Sequence, residues 1–102
     1  MNPDDILQMV LESLSKISDK RRAWLDKHLI TPREITLWLQ DDRQAQKNLW
    51  LVTDHTGVND SPYRIVFDEP NNMFGLEMTS DDGTEFYLGP HALEFSEVVD
   101  LL

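Results

Sequence analysis

The chain has 102 residues, a formal net charge of −10 and no cysteine. This length predicts one domain with a small hydrophobic core, and the lack of cysteine excludes disulfides, thiolate catalysis and cysteine-ligated metals. The first residues place acids ahead of the apolar positions, which is not the pattern of a signal peptide. No apolar run approaches the roughly 20 residues that span a bilayer. We therefore expect a soluble cytoplasmic protein with no membrane contact.

The negative charge is concentrated in the second part of the chain. Residues 1–34 contain six acids and six bases, whereas residues 35–102 contain thirteen acids and three bases. After Arg64 there are nine acids and no base. A surface that binds duplex nucleic acid needs cations to replace the counterions of the phosphates, so we expect no direct nucleic-acid binding. A basic protein partner fits this charge distribution, and so does simple solubility.

Two helices are predicted at the start of the chain. Asn2 can cap the first helix, and Pro3 suits its first turn. Apolar residues then recur at helical spacing, at Ile6, Leu7, Val10, Leu11, Leu14 and Ile17. Ser18 is the predicted cap of a second helix over residues 19–30, in which His28 shares a face with apolar neighbours.

The segment 34–40 has two competing patterns. Thr31, Pro32 and Glu34 have the spacing of a capping box followed by a third helix. The same segment also has the alternating apolar pattern of a strand, at Ile35, Leu37 and Leu39. The capping signal favours a helix, and the strand remains the alternative.

From Asn48 onward the apolar period changes to two. Short β-rich segments separated by turn residues are predicted at 48–53, 63–67, 73–79 and 84–88. After Gly89 and Pro90 the period is again helical. The predicted architecture is a single α+β domain with two or three N-terminal helices, a four-stranded antiparallel meander and a C-terminal helix packed on one face. Its parts are a helical segment 1–46, a sheet 47–89 and a helix 90–102.

The sequence SDDGTEF at 80–86 is predicted to be a hairpin turn. A three-residue loop over 81–83 places Phe86 opposite Met78 and keeps one face of the hairpin apolar, whereas a two-residue loop would mix apolar and acidic side chains. Gly83 then occupies the left-handed position of the loop. The glycine spacing does not match that of an EF-hand calcium loop, so a turn is the better interpretation.

The same test on the preceding hairpin places Phe67 opposite Phe74 and Arg64 opposite Glu77. Together the two hairpins predict an outer row of Arg64, Glu77 and Tyr87 across the sheet. An exposed tyrosine among carboxylates is a plausible hot spot for a protein partner; the alternative is that Tyr87 only forms a surface pair across the strands with Arg64 and Glu77. The predicted partner-binding residues are therefore Glu77, Asp81, Asp82, Glu85 and Tyr87.

Candidate catalytic and metal sites are weak by comparison. The histidines His28, His55 and His91 are spread over different elements, and zinc requires three or four converging ligands. Ser61, His55 and Asp60 share one loop, and a short loop seldom orients a catalytic triad. We expect no enzyme activity, no metal and no cofactor.

The predicted function is a small acidic, non-enzymatic protein-interaction module, such as an inhibitor, an immunity-type protein or an adaptor, that binds a basic partner protein. One alternative is a nucleic-acid mimic, in which carboxylates imitate phosphates. Another is a small-ligand or enzymatic domain that uses the loop 54–62. A homodimer through the outermost strands is a further option for the partner.

Overall fold

The computed structural model of the protein describes residues 2–40, 44–53, 63–80 and 82–99. The helices in these ranges are α1 (Pro3–Ser13), a 3-10 turn (Leu14–Lys16), α2 (Asp19–His28) and α3 (Phe95–Val99). The strands are β1 (Leu29–Leu39), β2 (Gln46–Thr53), β3 (Tyr63–Asp68), β4 (Met73–Thr79) and β5 (Glu85–Ala92). None of the helices in these ranges combines the length and the apolar character that crossing a bilayer requires.

The first two helices begin at the predicted caps. Asn2 Oδ1 accepts a hydrogen bond from the Asp5 N–H at 2.9 Å, and Asp5 Oδ2 accepts one from the Asn2 N–H at 3.1 Å. This reciprocal capping box satisfies two backbone donors that the helix itself leaves open. Ser18 Oγ accepts from the Arg21 N–H at 3.4 Å and caps α2. The second helix ends two residues earlier than predicted, because the chain passes directly from His28 into β1.

The prediction of a third helix at 34–40 is wrong. Residues Leu29–Leu39 form strand β1, which pairs antiparallel with β2 from Arg33↔Leu51 to Trp38↔Gln46. The capping-box spacing is a local signal, whereas the alternation of apolar residues matches burial in the fold: Leu37 is fully buried. Long-range pairing with β2 therefore overrides the local preference for a helix.

The five strands of the described residues form a closed barrel in which each strand pairs with its neighbours in chain order. The predicted four-stranded meander is β2 to β5, with antiparallel pairing throughout. Strand β1 is the additional member. It pairs with β2 on one side and, in parallel, with the start of β5 on the other, at Trp38↔Phe86 and Leu39↔Tyr87. Because β1 joins both ends of the meander, the second face of the sheet becomes the interior of a barrel.

Two hydrophobic clusters follow from this closure. The outer cluster lies between the helices and the outer face of the barrel, and its buried members are Ile6, Val10, Ile17, Leu25, Val52, Ile65, Phe67, Phe74, Leu76, Ala92, Phe95, Val98 and Val99. The inner cluster fills part of the barrel, with buried members Leu37, Leu49, Leu51, Val66 and Tyr87. Burial of both faces explains why β3 has four consecutive buried residues, from Ile65 to Asp68.

The C-terminal helix begins later than predicted. Strand β5 continues through Pro90 to Ala92, where the sequence predicts the start of a helix, and α3 (Phe95–Val99) begins only at Phe95. Gly89 has a φ of +103°, and the pairing with β4 shifts nearby so that Pro90 lies opposite Gly75. The glycine allows the strand to bend and continue, so the Gly-Pro pair is a bend within the strand.

Side chains from the first half of the chain fix the position of α3. Ser13 Oγ accepts a hydrogen bond from the buried Ser96 N–H at 3.1 Å, and the Arg21 guanidinium donates to the Val99 carbonyl at 2.8 Å. One contact satisfies a donor in the first turn of α3 and the other a carbonyl at its last residue, which are the groups that a short helix leaves open.

Candidate functional site

The hairpin that carries the predicted partner-binding residues has the predicted register. Glu77 pairs with Tyr87, Met78 with Phe86 and Thr79 with Glu85. In the preceding hairpin Arg64 lies opposite Glu77, as predicted. Gly83 has a φ of +86°, which is the left-handed conformation expected at the end of the loop. Choosing the register that keeps one face apolar therefore gave the correct pairing around the turn.

The expected exposure of Glu77 and Tyr87 is wrong. Glu77 is 0% exposed and Tyr87 is 4% exposed. The row Arg64–Glu77–Tyr87 does lie on the face of the meander away from Phe67 and Phe74, but the closure by β1 makes that face the barrel interior. Side chains that would be solvated on an open sheet are here buried.

Tyr87 belongs to a buried polar cluster around Asp68. The fully buried Asp68 accepts three hydrogen bonds at Oδ2, from Lys47 Nζ at 2.8 Å, Asn71 Nδ2 at 2.8 Å and Tyr87 Oη at 2.9 Å. Its other oxygen, Oδ1, is buried without a hydrogen-bond partner among the described residues. Burial of a carboxylate is tolerated only with such charge-assisted bonds. We refer to these four residues as the Asp68 cluster.

Burial and hydrogen bonding act in opposite directions on the pKa of Asp68. Loss of solvation raises the pKa, whereas the hydrogen bonds from Lys47, Asn71 and Tyr87 lower it, and the net pKa lies below the ordinary value. The pKa of Tyr87 is raised, first by its own burial and then by the adjacent Asp68 carboxylate. Asp68 is therefore an anion and Tyr87 a neutral hydrogen-bond donor at physiological pH. Neither group has the intermediate pKa that suits a general acid or base near neutrality.

The ring of Tyr87 lies across Gly75 of the neighbouring strand. A Cβ atom at Gly75 would come within 2.5 Å of the Gly89 carbonyl oxygen and 2.8 Å of Tyr87 Cε1. Real side chains do not approach this closely, so only glycine fits here without movement. Gly75 thus makes room for the ring whose hydroxyl reaches Asp68.

A second polar group lies around Arg64 in the same interior row. The Arg64 guanidinium forms ion pairs with both Glu77 and Glu85, and Thr79 donates to the second oxygen of Glu77 at 2.8 Å. Exposure increases along this group, from 0% for the Glu77 side chain to 13% for Arg64 and 46% for Glu85. Glu77 is therefore a structural residue, and Glu85 is the member that solvent reaches.

The turn after β4 exposes the remaining predicted residue that the structure describes. Asp82 is exposed, and its Oδ1 accepts hydrogen bonds from the Ser80 hydroxyl and from the Thr84 N–H. These bonds, that from Ser80 first, lower the pKa of Asp82 to about 2. Asp82 is consequently ionised at any ordinary pH. Asp81 lies outside the described residues, so Asp82 and Glu85 are the acids of the predicted site that are seen at the surface.

The residues considered for metal binding or catalysis do not converge where the structure describes them. His28 is buried, with its ring centroid 4.7 Å from that of Trp24, and His91 Nδ1 lies 2.8 Å from the Gly89 carbonyl oxygen. Within the described ranges there is no group of three or more histidine, aspartate or glutamate side chains that would hold a metal ion. His55 and the rest of the loop 54–62 lie outside the described residues.

Sequence reasoning missed the Asp68 cluster. Arg64, Val66 and Asp68 share one face of β3 by alternation, so Asp68 was assignable to the same row as Arg64. Nothing in the sequence indicated that this row of β3 lies inside a barrel. The barrel closes only because residues 29–39 form a strand, β1.

Comparisons with known proteins add no relative. No protein-family model matches the chain, and no curated protein and no solved structure is significantly similar to it.

Proposed function

We propose that this chain is a small, acidic, non-enzymatic interaction module that binds a basic partner protein. The supporting observation is the charge asymmetry: residues 35–102 contain thirteen acids and three bases. Complementary charge chiefly accelerates and steers the association of two proteins. An acidic surface of this kind would favour a partner that presents lysine and arginine.

The division between buried and exposed acids supports the same proposal. Asp68 and Glu77 are enclosed in the barrel and bonded to Lys47 and Arg64, so they stabilise the fold. Other acids after Arg64 are exposed, namely Glu69, Asp82, Glu85 and Glu97. Glu85 shares the single Arg64 guanidinium with Glu77, so this group of two carboxylates and one guanidinium keeps a net negative charge that a partner would meet.

Within this surface we place the binding site at the turn between β4 and β5. Asp82 is exposed in the turn, where hydrogen bonds hold it in its ionised form, and Glu85 is the exposed first residue of β5, paired with Arg64. Glu77 and Tyr87, which were predicted to contact the partner directly, are buried and would act by holding this hairpin in place.

Affinity capture from an extract at low ionic strength, followed by titration of each purified partner, tests the proposal. We expect partners of net positive charge whose affinity falls as salt is added. The double variant Asp82→Asn/Glu85→Gln keeps a hydrogen-bonding oxygen at both positions. It should weaken binding about 2- to 30-fold at low salt, from roughly 0.2–1 kcal/mol for each exposed ion pair.

The matched control removes the same charge from the helices. Glu12 and Asp26 are exposed on α1 and α2, and the variant Glu12→Gln/Asp26→Asn should bind nearly as the wild type does. Equal losses in both variants would place the site elsewhere on the surface. Recovery of no basic partner, or binding that ignores salt, would overturn the proposal, and competition by duplex DNA would indicate mimicry of nucleic acid instead.

A further inference from the structure

Strand β1 has a neighbour on one side only over much of its length. It pairs with β2 in a regular register from Arg33 to Trp38, whereas its pairing with β5 consists of Trp38↔Phe86 and Leu39↔Tyr87. Among the residues that the structure describes, the stretch before Trp38 therefore lacks a paired strand on the β5 side. We call this unpaired side of residues 34–36 the open edge of β1.

Backbone hydrogen bonds at the end of β1 show which way each residue points. Successive residues of a strand direct their N–H and carbonyl groups alternately to the two sides. The Leu39 N–H donates to the Ala45 carbonyl, next to β2, at 3.0 Å, and the Gln40 N–H donates to the Tyr87 carbonyl of β5 at 3.3 Å. In this stretch the odd-numbered residues thus bond toward β2, and the even-numbered residues point toward the β5 side.

Glu34 and Thr36 are the even-numbered residues that β5 does not reach. Both are exposed, and within the described ranges no backbone group bonds to their N–H or carbonyl groups on this side. Each residue therefore presents one donor and one acceptor at the open edge. Pro32 has no N–H to offer, which limits the open edge to residues 34–36.

Four such groups in a row match the backbone of an added β-strand, and the side chains beside them indicate its composition. Glu34 is exposed and forms no ion pair with another described residue, so it favours a basic residue opposite. Ile35 points to the other face and is only partly buried against the inner cluster, so it favours an apolar residue opposite.

We infer that the open edge of β1 binds an extended segment of the partner in which basic and apolar residues alternate. The edge is continuous with the proposed site, because β5 begins directly after the acidic turn and its pairing with β1 starts at Trp38, two residues beyond Thr36. This inference rests on the proposed function and names the mode in which the basic partner binds.

Two seven-residue peptides of equal charge test it, one of alternating lysine and valine and one of alternating lysine and proline. The proline peptide keeps the charge but lacks the N–H groups that a strand needs. Binding is measured by NMR titration at low salt. We expect the valine peptide to bind roughly 5- to 150-fold more tightly, from two backbone hydrogen bonds that the proline peptide cannot donate.

Amide hydrogen exchange locates the bound peptide. In the free protein the N–H groups of Glu34 and Thr36 should exchange faster than those of Ile35 and Leu37, which bond toward β2. Valine peptide at ten times its Kd should slow exchange at Glu34 and Thr36 about tenfold, because about one molecule in ten stays free, and should leave Ile35 and Leu37 nearly unchanged.

Variants separate the backbone contribution from the charge. Thr36→Pro removes an N–H at the open edge and no bond to β2, and should weaken valine-peptide binding roughly 2- to 12-fold. Thr36→Val loses the same side-chain bond to Asn48, keeps the N–H and is the matched control. Glu34→Gln, which retains the backbone and so does not depend on Thr36→Pro folding, should weaken binding about 1.5- to 5-fold, whereas Glu12→Gln on α1 should not.

The outcomes distinguish this inference from the proposed function. Equal, salt-dependent binding of both peptides, or valine-peptide binding without protection of Glu34 and Thr36, would overturn the inference and leave the acidic interaction surface standing. Protection of these two residues that rises with protein concentration alone would assign the edge to a second copy of the chain and overturn the inference as well. Failure of both peptides to bind at low salt would overturn both proposals.

Discussion

Removal of the Tyr87 hydroxyl isolates one hydrogen bond inside the barrel. In Tyr87→Phe the ring stays in place across Gly75, and only the bond from Oη to Asp68 Oδ2, 2.9 Å long, is lost. A hydrogen bond to a charged group contributes roughly 1.5–3 kcal/mol. Since small proteins are stable by about 5–15 kcal/mol, the variant should still fold, with a free energy of unfolding lower by about 1.5–3 kcal/mol at neutral pH.

The stabilisation by this hydrogen bond depends on pH, because its acceptor is an ionised carboxylate. The pKa of Asp68 in the folded protein lies below its ordinary value of 3.8. The stabilisation by the ionised carboxylate is therefore fully present above that value and is lost as the pH falls below it, through the folded-state pKa. Tyr87→Phe removes one of the donors that depress this pKa. The difference in stability between wild type and variant should consequently shrink in acid.

Urea denaturation followed by tryptophan fluorescence measures the effect, and the Asp68→Asn background is the control. With a neutral acceptor the same change should cost only about 0.5–1.5 kcal/mol, as for a hydrogen bond between neutral groups. A loss below about 0.5 kcal/mol in the wild-type background, or a loss that does not depend on Asp68, would refute the description of the cluster.

Three further changes test other parts of the fold. Gly75→Ala should destabilise the protein by roughly 1–3 kcal/mol in urea denaturation, because the new Cβ meets both Tyr87 and a backbone oxygen; a neutral effect would contradict the close approach. Gly83→Ala should lower the free energy of unfolding by about 1–2 kcal/mol in the same denaturation assay, because Gly83 has a left-handed backbone. A Cβ at Gly83 would meet no other atom, so the loss reports the backbone conformation alone, and Gly83→Asn should lose less stability. Ser13→Ala leaves the buried Ser96 N–H without its acceptor and should cost roughly 1–3 kcal/mol, with faster amide exchange in α3; unchanged exchange there would count against this contact.

Strands β2 to β5 and the register of the two hairpins that join β3, β4 and β5 were predictable because the signals are local. Alternating apolar residues defined β2 to β5, and the Asp-Gly turn with one apolar face selected the pairing of Met78 with Phe86. A shift of one residue would have exchanged the two faces. The pairing beyond Glu77 was not predictable in the same way, because the bend at Gly89 shifts the register there.

The surroundings of the predicted site depended on one ambiguous segment. If residues 34–40 formed a helix, the sheet would be open, its second face would be solvated, and Glu77 and Tyr87 would be surface residues. Because these residues form a strand, the barrel closes and the side chains of Glu77 and Tyr87 are enclosed. The alternation of Ile35, Leu37 and Leu39 was visible in the sequence, but only pairing between distant segments decides between the two structures.

The affinity of a purified basic partner as a function of ionic strength tests the proposed function most directly. Between roughly 10 mM and 1 M salt the Debye length falls from about 30 to 3 Å, which screens exposed charges and leaves apolar contacts intact. We predict an affinity that falls steadily over this range, with a weaker dependence in Asp82→Asn/Glu85→Gln than in the wild type. An affinity independent of salt, or a dependence that is identical in the two proteins, would contradict a role for this acidic turn in binding.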